Sequence, residues 1–139
     1  GAKLVKTASQ TYPATTWTKV TFETSAFSDE ANFADVTNNR LVIPSTGRYI
    51  LGGSIAPPTS YETIYNREMC VVLGDVAPST TNRVARQGAK QDGVAYLSAA
   101  NTLDLNAGDY LTLWFYSRVA SNFGTPNTPE FSLWAQRIK

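Results

Sequence analysis

Two carboxylates, Asp104 and Asp109, bracket one short turn in Leu103-Asp104-Leu105-Asn106-Ala107-Gly108-Asp109. Carboxylates so placed could serve as the acid and base of a glycosidase, or give oxygens to a calcium ion. The rest of either pattern is missing. Neither acid sits in an Asp-x-Asp-x-Asp-Gly loop, and Ca²⁺ takes roughly six to eight oxygens, so solvated turn residues account for the pair better. The chain has no histidine in 139 residues, which removes the commonest general base, the commonest metal ligand and every Ser-His or Cys-His arrangement. The lone cysteine, Cys70, cannot form an internal disulfide. It lies in Met69-Cys70-Val71-Val72-Leu73-Gly74, an apolar run where a small buried thiol fits. Gly52-Gly53 falls inside a strand-like run and not ahead of a helix, so it forms no phosphate loop. These residues predict a protein that is not an enzyme, with no catalytic residues, no cofactor and no metal.

Arg83, Arg86 and Lys90 make the one basic cluster. Strand alternation would separate Arg83 from Arg86 onto opposite faces, so the expectation is a solvated edge strand whose charges discourage edge pairing, not a phosphate-binding row. The net charge of +1 supplies no field to gather nucleic acid or an anionic membrane. No apolar run approaches the roughly 18 residues of a membrane span, so no membrane insertion is expected. Two polar stretches, Pro57 to Asn66 and Ser121 to Pro129, carry aromatics that folding does not obviously require. Tyr61, Tyr65, Asn122 and Phe123 are therefore candidate surface-binding residues, with packing onto their own domain as the alternative.

The elements that must position these residues are strands. β-branched and aromatic residues recur in short runs punctuated by Gly, Pro, Asn and Asp, and no segment keeps a 3.6-residue period. Ten strands are expected, near Ala2–Thr7, Thr16–Thr24, Phe33–Val36, Arg40–Ile43, Gly47–Ala56, Arg67–Leu73, Asn82–Gln87, Val94–Leu105, Tyr110–Val119 and Glu130–Ile138. So many strands in one 139-residue domain imply two packed antiparallel sheets. Pro44-Ser45-Thr46-Gly47 and Asn106-Ala107-Gly108-Asp109 read as hairpin turns between antiparallel strands, with Gly47 free to take positive φ.

Alternation sorts the side chains of the two best strands. Tyr49, Leu51, Gly53 and Ile55 share one face of the first; Arg48, Ile50, Gly52, Ser54 and Ala56 share the other. Leu111, Leu113 and Phe115 point one way in the second, and Tyr110, Thr112, Trp114, Tyr116 and Arg118 the other. Large apolar groups on both faces need two covers. An aromatic ridge of Tyr110, Trp114 and Tyr116 calls for a loop of the same chain, a ligand or another subunit.

The stretch Asn39-Arg40-Leu41-Val42-Ile43-Pro44-Ser45-Thr46-Gly47-Arg48-Tyr49 resembles the signature of the C1q-like domain family: a basic residue, an apolar strand, Pro-x-x-Gly, then an aromatic. Leu103-Asp104-Leu105, Gly108-Asp109 with Leu111-Thr112-Leu113, and the closing Phe131-Ser132-Leu133-Trp134-Ala135 are similar to later family landmarks and fall in the family's order. Leu133 stands where the family usually has glycine, and Tyr61 to Arg86 has no close match. The resemblance implies an all-β, ten-stranded jelly-roll β-sandwich of C1q/TNF-like architecture, spanning 1–139 as one domain and assembling as a homotrimer. Tyr49, Tyr110, Trp114, Tyr116 and Trp134 are then candidates for the trimer interface.

A composition rich in Thr, Asn, Ala and Ser looks more like bacterial and bacteriophage relatives than animal ones. The expectation is a fragment of a longer structural polypeptide on the surface of a virion, where it meets itself, other virion proteins and a host cell-surface glycan or protein. Two alternatives stay open. One is a purely architectural trimerisation or capsid and tail decoration domain; the other is a secreted, extracellular C1q-like recognition domain.

Overall fold

A computed structural model describes residues 1–56, 67–89, 97–118, 121–123 and 131–139. Among them lie thirteen strands: β1 (Ala2–Val5), β2 (Gln10–Tyr12), β3 (Thr18–Lys19), β4 (Thr24–Ser28), β5 (Ala34–Asp35), β6 (Arg40–Val42), β7 (Gly47–Ile55), β8 (Arg67–Leu73), β9 (Arg83–Ala89), β10 (Leu97–Leu105), β11 (Tyr110–Ser117), β12 (Ser121–Phe123) and β13 (Ser132–Arg137). The described residues hold no helix. Each of the ten expected segments contains one of these strands or overlaps it. The additional ones are β2, β4 and β12, which are short or, for β4, largely exposed and without an apolar face to announce them.

Sheet one has the order β10-β7-β13-β1-β4. Sheet two has the order β5-β6-β11-β8-β9, with β3 also on β11, and β12 pairs with β2 in a small ribbon. Every pairing is antiparallel. The long strands alternate as their sequences demand. Tyr49, Leu51, Ile55 and Leu97 of sheet one, with Leu4 and Leu133, face Leu41, Met69, Val71, Leu111, Leu113 and Phe115 of sheet two in one buried core. Phe115 meets Tyr12 edge-on at 5.1 Å between ring centres, which closes the end of that core near β2.

The two expected hairpins are instead corners. β6 belongs to sheet two and β7 to sheet one, so Pro44–Thr46 carries the chain from one sheet to the other; β10 and β11 are likewise in different sheets. The corners are bound together: Gly108 N donates to Ile43 O at 2.8 Å, Ile43 N to Asp109 O at 2.8 Å, and Ala107 N to Thr46 Oγ1 at 3.0 Å. Gly108 sits at φ +90 as such a turn requires. Gly47 does not take positive φ; it is glycine because a Cβ there would stand 2.6 Å from both Arg137 Nε and Lys139 O. The Pro-x-x-Gly element thus lets the last strand lie against the corner.

Candidate functional surfaces

Tyr49 belongs to the fold and not to its surface. It is fully buried on the inner side of β7, its ring 6.2 Å from Phe33, and its hydroxyl donates to Ser45 O at 2.7 Å. It has no surface to offer a neighbouring chain, which corrects its place among the interface candidates. The other four lie on opposite sides of the sandwich: Trp134 on the outer face of sheet one, and Tyr110, Trp114 and Tyr116 on the outer face of sheet two. Tyr61 and Tyr65 lie outside the described residues. Asn122 and Phe123, expected in a loop, are in β12, where they pair with Thr11 and Gln10.

On sheet one the registers put Lys3, Trp134, Gly52 and Ala100 in one row across β1, β13, β7 and β10, with Phe27 beside Lys3 on β4. The indole of Trp134 rests directly on Gly52, where a Cβ would come within 2.6 Å of its Cζ2. Neighbouring rows carry Ile50 with Thr102 and Gln136, and Ser54 with Ser98 and Ser132. Ile50 is 37% and Phe27 45% exposed. The result is a mixed surface around one indole, in which Gly52, Ala100, Ile50 and Phe27 stand among Lys3, Thr102, Gln136 and three serines, with Arg48 and Asp104 paired at 3.6 Å toward its edge. That pair lines an open cleft of about 450 Å³ with Thr46, Asn106 and Lys139.

On sheet two the aromatic ridge is partly covered by its own chain. Trp17 lies against Tyr116 with ring centres 5.5 Å apart, and the Arg40 guanidinium sits 3.9 Å over the Tyr110 ring. Trp114 Nε1 donates to Thr112 Oγ1 at 2.8 Å, and Thr112 in turn donates to Gly74 O at 2.8 Å. Trp114 and Tyr116 are half-buried as a result. A second subunit is therefore not needed to explain the ridge. Trp17, just ahead of the two-residue β3, gives no periodic signal, and the signature residue Arg40 carries no local mark of its seat on Tyr110.

Arg83 and Arg86 share that same face, contrary to strict alternation. β9 pairs Arg86 with Cys70, Ala85 with Val71 and Arg83 with Val72, so Val84 is an extra residue without a partner across the ladder. This β-bulge inverts the parity of the strand between the two arginines. Cys70, expected inside an apolar run, is 1% exposed, although its strand position points outward. Burial pushes its thiol up to about 11, against the pull of both Arg83 and Arg86.

Charges on this face are mostly matched. Arg86 Nη2 donates to Glu68 at 2.7 Å, Lys19 Nζ to Asp75 at 2.6 Å, and Arg40 Nε to Asp35 at 2.9 Å. Burial alone would raise the Asp35 carboxyl, but hydrogen bonds from Asn38 and Arg40 outweigh it and hold the group below the usual range. Arg83 differs: its Nε is buried and has no hydrogen-bond partner. Among the described residues, no group of three or more acidic or cysteine side chains could hold a metal ion. Asp104 and Asp109 are separately engaged, the first with Arg48 and the second accepting from Asn106 N at 2.8 Å.

No family model matches the chain. It is 30% identical over 113 residues to the uncharacterized protein YqcC of Bacillus subtilis (strain 168), a match covering 80% of this chain and 29% of that protein. The chain therefore spans under a third of the length of that curated relative. Two crystal structures of murine APRIL, at pH 5.0 and pH 8.0, superpose with TM-scores of 0.63 over 95% of this chain and 96% and 95% of theirs, at 14% and 15% identity. At such identity the likeness is one of architecture, and the architecture is the tumour-necrosis-factor-like jelly roll.

Proposed function

We propose that this chain is a non-enzymatic, C1q-like module that works as a homotrimer on the surface of a phage particle, at a fibre tip or surface projection, and engages a receptor on the host cell. The observation that carries the trimer is the outer face of sheet one. Trp134 rests on Gly52, with Ile50 in the neighbouring row and Phe27 beyond Lys3, and Ile50 and Phe27 are exposed. Aromatic groups in a patch of small neighbours are what subunit contacts are made of. A closed ring of three uses a heterologous contact, in which this face of one chain meets a different patch of the next. The resemblance of the Arg40–Tyr49 signature to C1q-like domains supports the same reading. Three copies around one axis turn weak contacts with a repeated surface ligand into useful avidity.

Light scattering at micromolar concentration tests the assembly: three chain masses are expected, and Trp134→Glu, which places a charge in the patch, is expected to give one. A wild-type chain that stays at one mass across concentrations overturns the trimer. Saturating the isolated domain against adsorption of the parent particle tests the receptor role. Competition supports receptor binding, and undiminished adsorption favours a purely architectural role in registering or decorating the particle.

A further inference from the structure

We propose that Gln10 and Thr21 join covalently in the folded chain, the Thr21 hydroxyl displacing ammonia from the Gln10 carboxamide to form an internal ester beside Lys6. The reaction is a single event within one chain and takes no outside substrate, so it is compatible with a protein that is not an enzyme. It stands independently of the receptor-binding reading above.

Its first support is the state of Lys6. A buried ammonium is costly unless a carboxylate lies against it. The Lys6 side chain, just past β1, is 1% exposed, yet its nearest partners are two oxygens of Thr21: the carbonyl at 2.9 Å and Oγ1 at 2.8 Å. Glu23 Oε2 stands farther off at 3.5 Å, and Glu23 Oε1 accepts from the Thr7 and Ala8 N–H groups at 2.7 and 2.8 Å. Burial also lowers the Lys6 pKa against the pull of Glu23. A buried amine that gives up its proton more readily, set on a hydroxyl, is how a general base addresses a nucleophile.

The second support is the amide that this hydroxyl meets. Gln10 Oε1 accepts from Thr21 N at 2.9 Å, from the Tyr12 hydroxyl at 2.9 Å and from Thr21 Oγ1 at 3.1 Å. When Thr21 Oγ1 turns its proton to Lys6, the other two donors stay in place. They polarise the carbonyl and hold the negative charge that attack puts on its oxygen. Tyr12 is buried, and burial together with nearby Glu23 raises its pKa, so its hydroxyl keeps the proton it donates. Gln10 Nε2 donates to Lys19 O at 2.8 Å, which fixes the plane of the amide. With a C=O bond of about 1.23 Å, the amide carbon lies within about 4.3 Å of Thr21 Oγ1.

The step balances within the cluster. Lys6 first lends a proton to Glu23 and then takes the proton of the Thr21 hydroxyl as Oγ1 bonds to the Gln10 amide carbon. The carbon–nitrogen bond breaks, Lys6 hands that proton to the departing nitrogen, and ammonia leaves. Glu23 returns the borrowed proton, and nothing is oxidised or reduced. The product ties the start of β2 to the chain just beyond β3, in a domain whose single cysteine leaves no internal disulfide to do so.

The test is the intact mass of the whole chain, denatured after it has folded. Most wild-type chains are expected to weigh less than their sequence by one ammonia, and a digest should hold one branched peptide joining Gln10 to Thr21. Dilute base should open that branch, restoring a free Thr21 hydroxyl and leaving the Gln10 side chain as its acid. Thr21→Val, which keeps the shape without the hydroxyl, should show the full mass. Lys6→Arg keeps the charge but does not deprotonate, and should show the full mass while circular dichroism reports an unchanged fold. Full sequence mass in the aged wild type overturns the proposal without recourse to any variant. A missing ammonia mapped to other residues overturns it too, as does a base-stable branch at Lys6, which would be an isopeptide. Loss of ammonia from Lys6→Arg at the wild-type rate removes Lys6 as the base and overturns the mechanism.

Discussion

Truncating Tyr49 separates its two possible roles. Buried in the core, Tyr49 contributes an edge contact to Phe33 and one hydrogen bond, from its hydroxyl to Ser45 O at 2.7 Å. Tyr49→Phe removes the hydrogen bond alone, and because the Ser45 carbonyl is only part-buried, the cost should be about 0.5–1.5 kcal/mol. Tyr49→Ala empties a large core position and should cost about 3–5 kcal/mol. An unfolding entropy near 2.1 cal/mol/K per residue over 139 residues comes to roughly 0.3 kcal/mol/K. The expected drops in Tm are therefore about 2–5 °C for Tyr49→Phe and about 10–17 °C for Tyr49→Ala. The assay is thermal unfolding followed by circular dichroism at one fixed chain concentration, with light scattering at 20 °C on the same samples, since association shifts apparent stability. The reasoning is refuted if Tyr49→Ala melts with the wild type while its mass falls, because that is how an interface residue behaves.

Three further outcomes follow from the same structure. Lys6 has a side chain only 1% exposed, donating to Thr21 O and Oγ1, and burial lowers its pKa against the opposing pull of Glu23. Between that lowered value and 10.5 the unfolded chain holds the extra proton, so the stability of the wild type relative to Lys6→Met should rise with pH toward that limit; urea unfolding at a series of alkaline pH values measures it, and a flat difference contradicts it. Gly47→Ala sets a methyl group 2.6 Å from Arg137 Nε and Lys139 O, and should cost about 1–3 kcal/mol by overpacking, read as a lower urea midpoint at unchanged slope. Cys70, 1% exposed with its thiol pushed up to about 11, should resist an aromatic disulfide reagent at pH 8 in the native protein and react fully in guanidinium; rapid native labelling would show that its cover opens.

The parts of the fold legible in the sequence are those where a long strand keeps one parity. β7 and β11 sort their side chains as alternation requires, and the core that Tyr49, Leu51, Ile55, Leu111, Leu113 and Phe115 form follows from that. Parity is also where the reading failed. One inserted residue, Val84, reverses it, and nothing in the composition of Arg83–Ala89 marks the insertion. Turn chemistry was equally ambiguous, because Pro-x-x-Gly bends the chain without specifying whether the next strand joins the same sheet or the facing one. The Trp134 surface was legible only as a residue type. Its flat seat depends on Gly52 lying opposite across the β7–β13 register, a long-range fact no local window contains.

The strand order of sheet one makes chain synthesis matter. β13, the last strand in sequence, lies between β7 and β1, and among the described residues β1 pairs otherwise only with β4. Until residues 132–137 have been made, the two halves of that sheet have no hydrogen-bonded connection, and Leu4, Leu51 and Gly52 wait uncovered. A ribosome-bound chain must therefore carry a sticky, half-built sandwich almost to the end of this segment, which favours rapid threading of β13 and exposes the nascent protein to mispairing with a neighbouring copy at the same open slot.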